Sequence, residues 1–328
     1  MLRGEGLDVF STASNGVSSA SRLDNWDQVA SVRTKPRRRL GEPRIGDEAN
    51  GLYFSPDLLP VLRHPRIADL GEEVQRRLLV ERLYQYLDVT TWVEQGLVNQ
   101  ALVQLFQART DLRLPAEMEF DAYKIYCDEG YHALFSVDLK YQVAQETGIA
   151  WSACSQPRVL RALDGLSQSV PAEMRGLAQL FFVIVYETLI SGILGRVPRD
   201  RRVVETVRRV VQDHAEDEGR HHAYFSEIFR RLWPALEPEQ RDVMGPLLAP
   251  AIVADLEPDL DAIDALLAPT GLDAEERGAV IADAYPEATV RSEIRRAAAA
   301  TINLVRHTGG FDHLPTRHAF RAYGLIPT

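Results

Sequence analysis

A five-residue signature, Asp-Glu-Gly-x-His, occurs twice in this chain, as Asp128-Glu129-Gly130-Tyr131-His132 and as Asp217-Glu218-Gly219-Arg220-His221. Each copy lies in the middle of a long helical pattern. In the second pattern, from about Asp200 to Trp233, His214, Glu218 and His221 stand at i, i+4 and i+7, which a helix places on one face. Val207, Val210, Val211, Phe225 and Ile228 occupy the same face above and below them. In the first, from about Ala116 to Glu146, Glu129 and His132 share a stripe with Ala122, Ile125, Tyr126, Ala133 and Ser136. Carboxylates and imidazoles that interrupt an apolar stripe need a partner, because an unpaired buried charge is very costly. The simplest partner for such a set is a metal ion. One Glu-x-x-His alone is weak evidence. Two copies with the same flanking Asp and Gly, each inside an amphipathic helix, make a pair of coincidental surface motifs a poor explanation.

Two further helical patterns carry one glutamate each. The stretch from about Glu72 to Gln107 has an inner stripe of Leu79, Leu83, Tyr86, Leu87, Thr90, Glu94, Leu97, Val98 and Ala101. The stretch from about Pro171 to Gly195 is almost wholly apolar around Glu187, with Leu180, Val183, Ile184, Ile190, Ser191 and Leu194, and such a helix belongs at the centre of a bundle. Glu94, on the more polar of the two, also fits a glutamate turned to solvent. In chain order the set is Glu94, then Glu129 with His132, then Glu187, then Glu218 with His221. That is the order of a di-iron or di-manganese carboxylate site in a ferritin-like four-helix bundle. Glu129 follows Glu94 by 35 positions and Glu218 follows Glu187 by 31, each a run up one helix and back to the same level. The longer gap from His132 to Glu187 fits a crossover with a short helix near Arg158 to Leu166.

His214 makes a seventh candidate ligand; the alternative is a core histidine bonded to a carboxylate. For Asp128 and Asp217 the expected role is to accept the second ring N–H of a ligating histidine on the opposite motif helix, which would set its tautomer and orientation; the alternative is a solvated aspartate. His222 points roughly 100° away from His221. His64, His307, His313 and His318 offer no metal spacing.

The rest of the chain adds helices and no sustained strand pattern, so the fold class is all-α. Residues 1–50, rich in Ser, Gly, Asn and Arg with a basic run from Arg33 to Arg39, read as a flexible tail whose basic run is expected to be solvated, the alternative being contact with an acidic partner. Residues 51–328 read as one domain. It opens with a Pro-punctuated approach to about Leu70, and helical material from Glu237 to Leu267 is broken at Pro246, Pro250 and Pro258. One helix runs from about Glu287 to His307, ended by Gly309-Gly310, and a docking helix from Leu314 to Tyr323. A net charge of −10 gives a nucleic-acid partner no support. Two cysteines, Cys127 and Cys154, exclude a disulfide framework and a cysteine-ligated iron–sulfur cluster. No uninterrupted run of roughly 18 apolar residues suggests a membrane span, and the first residues carry no apolar signal core, so the expected location is cytoplasmic.

With those residues in place, the chain resembles the p-aminobenzoate N-oxygenase family. The similarity lies in Val93-Glu94-Gln95, Asp128-Glu129-x-x-His132, Glu187-Thr188 and His214-x-x-x-Glu218-x-x-His221, with a similar approach segment from Phe54 to Pro65. It covers residues 50–235 and extends towards 325. The resemblance implies a homodimer with two iron ions per chain and O2 as co-substrate. It implies oxidation of an aromatic amine through hydroxylamine and nitroso to nitro products in antibiotic biosynthesis. Electrons come from an external reductase or ferredoxin, since no flavin, nicotinamide or iron–sulfur motif is present. The expected pocket wall is Tyr86, Thr90, Leu97, Val98, Val183, Ile184 and Ser191, with Gly192 and Gly195 leaving room beside it. No Arg or Lys lies between Tyr84 and Thr91, so a carboxylate anchor has to come from elsewhere, Arg291 or Arg295 being candidates, or the substrate's carboxylate is masked or absent. The rivals are a di-iron carbon hydroxylase or desaturase and, from another class, a non-catalytic iron-binding helical scaffold.

Overall fold

A computed structural model describes residues 21–41, 51–106, 114–151, 156–189 and 192–327. Among them the fold is all-α; the one β contact is an isolated bridge between Leu52 and Val203. Two single-turn helices come first, α1 (Trp26–Val29) and α2 (Ser31–Thr34), followed after the approach segment by α3 (Pro65–Ala68). The bundle proper is built from α4 (Glu72–Val93) with its continuation α5 (Asn99–Phe106), α6 (Ala116–Thr147), α8 (Arg175–Thr188) and α10 (Glu205–Ala235). The first pair packs along α6, α10 along α8 and α6, and α5 along α8, which is the ferritin-like arrangement. Helix α7 (Arg158–Gln168) lies in the crossover, and α9 (Gly192–Arg196) follows α8.

The core falls into two clusters. One holds Val93 to Leu105, Met118 to Ile125, α8, and α10 from Tyr224 onward. The other holds Leu78 to Leu87, Leu139, Val143 and Val203 to Val211. Between them, at one level across all four long elements, the stripes turn polar. Apolar packing on both sides therefore seals a polar layer in the middle of the bundle.

Several elements differ from the sequence expectation. The helix expected from Glu72 to Gln107 contains a π turn, Glu94–Val98; its last residue lies outside the described residues. The helix around Glu187 stops at Thr188, where Leu189 turns extended with ψ 153°, and the next helix of the described residues starts at Gly192. The apolar stretch Ala172–Arg199 is long and apolar enough to cross a membrane by length and composition, contrary to the reading above. However, 56% of its most apolar window is buried inside the fold. The helix bearing His214 begins at Glu205 rather than Asp200, whose carboxylate instead accepts from Ser55 Oγ at 2.6 Å and Arg202 Nε at 2.8 Å.

After the bundle, α11 (Pro238–Leu256) runs through Pro246 and Pro250 as one helix. An interior proline costs ~3 kcal/mol. Here it is offset by burial of Met244, Leu248, Ala249, Ala251 and Ile252 against α7, α8 and α16 (Leu314–Ala322). At Gly245 a Cβ would collide with Thr316, so glycine lets α16 cross closely. Helices α12 (Leu260–Leu267) and α13 (Ala274–Ala284) follow, and the expected 287–307 helix is divided at Ala298 into α14 (Glu287–Ala297) and α15 (Ala299–His307). At the start of α13, Asp273 and Glu276 form a capping box.

The largest departure is at the N-terminus. Residues 1–20 and 42–50 lie outside the described residues, but 21–41 form a docked strap rather than a tail. Leu23, Ala30 and Ser31 are completely buried. The basic run is not merely solvated. Arg38 makes a bidentate pair with Asp213 at 2.8 and 3.0 Å, Lys35 meets Glu216 at 2.9 Å, and Arg37 pairs with Asp138. Acidic side chains on α6 and α10 give these cations partners that composition alone does not reveal.

Candidate metal centre

The polar layer gathers all seven candidate ligands into two overlapping groups. Glu94, His132, His214 and Glu218 present ligand-type atoms within 4.8 Å of one another, and so do Glu129, Glu187, Glu218 and His221. Glu218 belongs to both. Its Oε1 lies 3.1 Å from His214 Nε2, 3.5 Å from His132 Nδ1 and 3.4 Å from His221 Nδ1. Glu129 also lies between the histidines, Oε1 3.0 Å from His221 Nδ1 and Oε2 3.4 Å from His132 Nδ1. Glu94 and Glu187 sit at opposite ends, 3.8 Å from His132 Nδ1 and 3.9 Å from His221 Nδ1 respectively. The side chains are 0–5% exposed except for Glu218, at 18%.

The histidines are oriented from behind. His132 Nε2 lies 3.1 Å from Asp217 Oδ2, and His221 Nε2 3.2 Å from Asp128 Oδ2, so each motif's aspartate faces the other motif's histidine. Both Nδ1 atoms are thereby turned inward. His214 is reversed: its Nδ1 lies 3.3 Å from the Tyr86 hydroxyl, and Nε2 points inward, 3.1 Å from Glu94 Oε1. The π turn at Glu94 widens the helix by a residue per turn, a device frequent at functional sites. Gln95 in that turn donates to Glu129 O at 3.0 Å, tying the two helices together at the level of the centre.

The residues fit a pair of cations. Both carboxylate oxygens of Glu94, Glu129 and Glu187, and Nδ1 of His132 and His221, are buried without a hydrogen-bond partner. Several lie close to one another but not in hydrogen-bonding alignment, so their lone pairs converge on shared space. At ~1–3 kcal/mol for each unsatisfied buried group, the set costs on the order of 10 kcal/mol, comparable with the whole stability of a domain. Four glutamates also match the charge of two divalent ions.

Protonation follows the same crowding. Burial pushes Glu94 up to about 7 against the pull of His214. Burial, then the neighbouring Glu218 and Glu129, raises Glu187 well above the usual carboxylate range. Glu218 is held well below it, because His221 and the hydrogen bond from His214 outweigh its burial. His132 rises to about 9, burial and His214 being outweighed by Asp217 and Glu129. Ions placed among these groups would take over the compensation that protons supply here.

The expected pocket wall is less open than its sequence suggests. Leu97, Val98, Val183 and Ile184 are packed in the core, Thr90 is 3% exposed, and Tyr86 is engaged with His214. Ser191 lies outside the described residues. Arg291 and Arg295 are exposed on α14, and Arg291 pairs with Glu287. A cavity of about 210 Å³ instead lies between the strap and the motif helices, lined in part by Arg38, Tyr131, Phe135 and Val210. Its Phe135 ring is 5.3 Å from the His132 ring and 5.8 Å from that of His214, centroid to centroid. Sequence reasoning did not single out Phe135, Trp26 or Ser31; nothing in a helical period marks them.

Residues 41–309 match the family described as P-aminobenzoate N-oxygenase AurF. The matched span contains α4 to α14 and every residue of the two groups above. With the bundle, both motif helices and the whole centre inside it, the chain belongs to the p-aminobenzoate N-oxygenase family.

Proposed function

We propose that the chain is an O2-dependent di-iron monooxygenase that N-oxygenates an amine on a small metabolite, with an external reductase or ferredoxin as electron donor. The observation that carries this reading is the buried, unpaired set of carboxylate and imidazole atoms, together with a third histidine and the family match. Glu94, His132, His214 and Glu218 would hold one iron, and Glu129, Glu187, Glu218 and His221 the other. When bound, the pair supplies the two-electron activation of O2 that oxygen insertion requires. The chain's own residues do the rest. Asp217 and Asp128 hold His132 and His221 with Nδ1 inward. Tyr86 orients His214, and the apolar side chains of α8 exclude water from the layer. Among the described residues of the expected pocket wall there is no Arg or Lys, which favours an aromatic amine whose carboxylate is masked or absent.

The test is a panel of arylamines, alkyl amines and amine-free analogues given to the reduced, iron-loaded protein with O2. Hydroxylamine, nitroso or nitro products from the arylamines are expected, at rates at least tenfold above those of the amine-free compounds. Oxidation at carbon only would replace this reading with a hydroxylase, and O2 uptake without product would favour the scaffold.

An exposed stripe on α6 supports the expected homodimer. Every exposed position of α6 between Phe120 and Tyr141 is uncharged. Phe120 is 64% exposed, Tyr123 46%, Leu134 62%, Val137 39% and Tyr141 55%. Together with the exposed Cys127 and Gly130 they recur at alternating spacings of three and four, the seam of a helix that packs on another. Gly130, in the middle, has open space where a Cβ would stand. With aromatic side chains offering 150–250 Å² each, the stripe leaves roughly 500 Å² uncovered per chain, near the upper limit for a monomer's largest patch. A second copy laid on it would bury ~1,000 Å², the threshold of a specific interface. We therefore propose that two chains pair through this face. Sedimentation or native mass spectrometry should give two chains for the wild type and one for Leu134→Arg, with helical content unchanged. A monomeric wild type, or a dimeric variant, would rule this out.

A further inference from the structure

We propose that the N-terminal strap, residues 21–41, positions the metal centre, acting through Trp26 and Ser31 on the two aspartates behind His221 and His132. This rests on the metal-centre reading above. Trp26 Nε1 donates to both oxygens of Asp128 at 2.9 Å, and Asp128 Oδ2 lies 3.2 Å from His221 Nε2. The Ser31 backbone N–H donates to Asp217 at 3.2 Å, and Asp217 Oδ2 lies 3.1 Å from His132 Nε2. Two relays of the same form, strap to aspartate to histidine, thus serve the two Asp-Glu-Gly-x-His motifs, one each. Asp128 and Asp217 are completely buried, so water does not replace a lost donor; Asp217 is also paired with Arg220 on its own helix, so the Trp26 relay to Asp128 is the more exposed to loss of its strap donor.

The strap is held at both ends and in between. Ser21 Oγ and Arg22 N donate to Asp121 at 2.5 and 2.9 Å. Ser31 Oγ donates to Asp213 O at 3.1 Å, and Leu40 N to Gln142 Oε1 at 2.8 Å. It therefore bridges α6 and α10, the two helices that carry the motifs. A carboxylate fixed from outside presents a fixed acceptor to the imidazole, and that imidazole's orientation sets where Nδ1 points. Partners one bond behind a ligand typically matter 10–100-fold in metal affinity; one bond further out, roughly 3- to 10-fold is expected.

The position of Ser31 allows a clean test. It is the first residue of α2, preceded by Ala30 at φ −61° and ψ 139°, a conformation that accepts a following proline. Ser31→Pro removes the N–H and the hydroxyl, Ser31→Ala the hydroxyl alone, and Trp26→Phe the indole N–H while keeping a ring. Full-length variants are titrated with Co²⁺ against a chelator, recording affinity, the visible spectrum of the bound ion, and the melting temperature with and without metal. Trp26→Phe and Ser31→Pro should each weaken binding about 3- to 10-fold, alter the Co²⁺ bands and shrink the metal-induced rise in melting temperature. Ser31→Ala should stay within about twofold of wild type, since it leaves the relay intact. Wild-type affinity and bands in both variants, with only the metal-free melting temperature lowered, would show that the strap merely packs and would overturn the proposal. Should one variant fail to fold, the other decides. A wild type that binds no Co²⁺ or Fe²⁺ would overturn the metal-centre reading itself, and this proposal with it.

Discussion

Glu218→Ala is expected to abolish both metal ions, taking iron from two per chain to below half of one while leaving the helical content intact. Glu218 is the one side chain common to the two ligand groups, and its Oε1 stands within 3.5 Å of all three histidines. Its loss takes a negative charge and a shared donor from each ion at once. Glu94→Ala removes a donor from one group only and should leave about one ion per chain. His222→Ala is the matched control, since His222 belongs to neither group. Metal analysis after reconstitution reads all three. Equal iron in Glu218→Ala and wild type, or a single zinc indifferent to every change, would remove the basis for a dinuclear centre.

The second large effect is a reversal of sign. Glu187 is buried on the most apolar of the bundle helices, its carboxylate oxygens have no hydrogen-bond partner, and burial with nearby Glu218 and Glu129 raises its pKa well above the ordinary range. In the metal-free protein it is a liability, and Glu187→Gln should raise unfolding free energy by about 1–3 kcal/mol, as when an uncompensated buried ionisable group is removed. The gain should grow with pH. A carboxyl whose folded pKa is raised binds more protons folded than unfolded, so the wild-type contribution to stability falls as pH rises through the ordinary glutamate range and above it. With metal bound the sign inverts, because the glutamine neither neutralises nor ligates the ion as well; affinity should drop at least tenfold and the holo-protein should be the less stable of the two. Urea unfolding of both proteins, with and without metal, checks each half. A metal-free Glu187→Gln weaker than wild type would mean that this glutamate is structurally satisfied and has no need of an ion. Stability given up for a buried polar layer is the kind of conflict expected at a functional site.

Much of this architecture is legible in the sequence. A helix repeats every 3.6 residues, so an apolar stripe interrupted at Glu94, Glu129/His132, Glu187 and His214/Glu218/His221 already states which residues share a face and at what height. Equal heights on four helices then imply one layer. That inference needs only local geometry, which is why the all-α class and the gathering of the seven residues followed from spacing. Motif recurrence also pointed each aspartate at the other motif's histidine, but the finer relations between elements distant in sequence lay beyond it. Nothing in the pattern says that Glu94 lies in a π turn, since one extra residue per turn leaves the stripe almost unchanged. Nor does it say that His214 presents Nε2 while His132 and His221 present Nδ1. That choice depends on whether a tyrosine or an aspartate stands behind the ring. The strap is the clearest case. Residues 21–41 have too few apolar side chains to announce a packed element. Their order comes instead from hydrogen bonds and ion pairs to Asp121, Asp128, Asp213 and Asp217, roughly 100 to 190 residues away in sequence. Periodicity determined the faces; only the tertiary structure, by bringing buried acceptors to donors far along the chain, decided how those faces are held and which way each imidazole points.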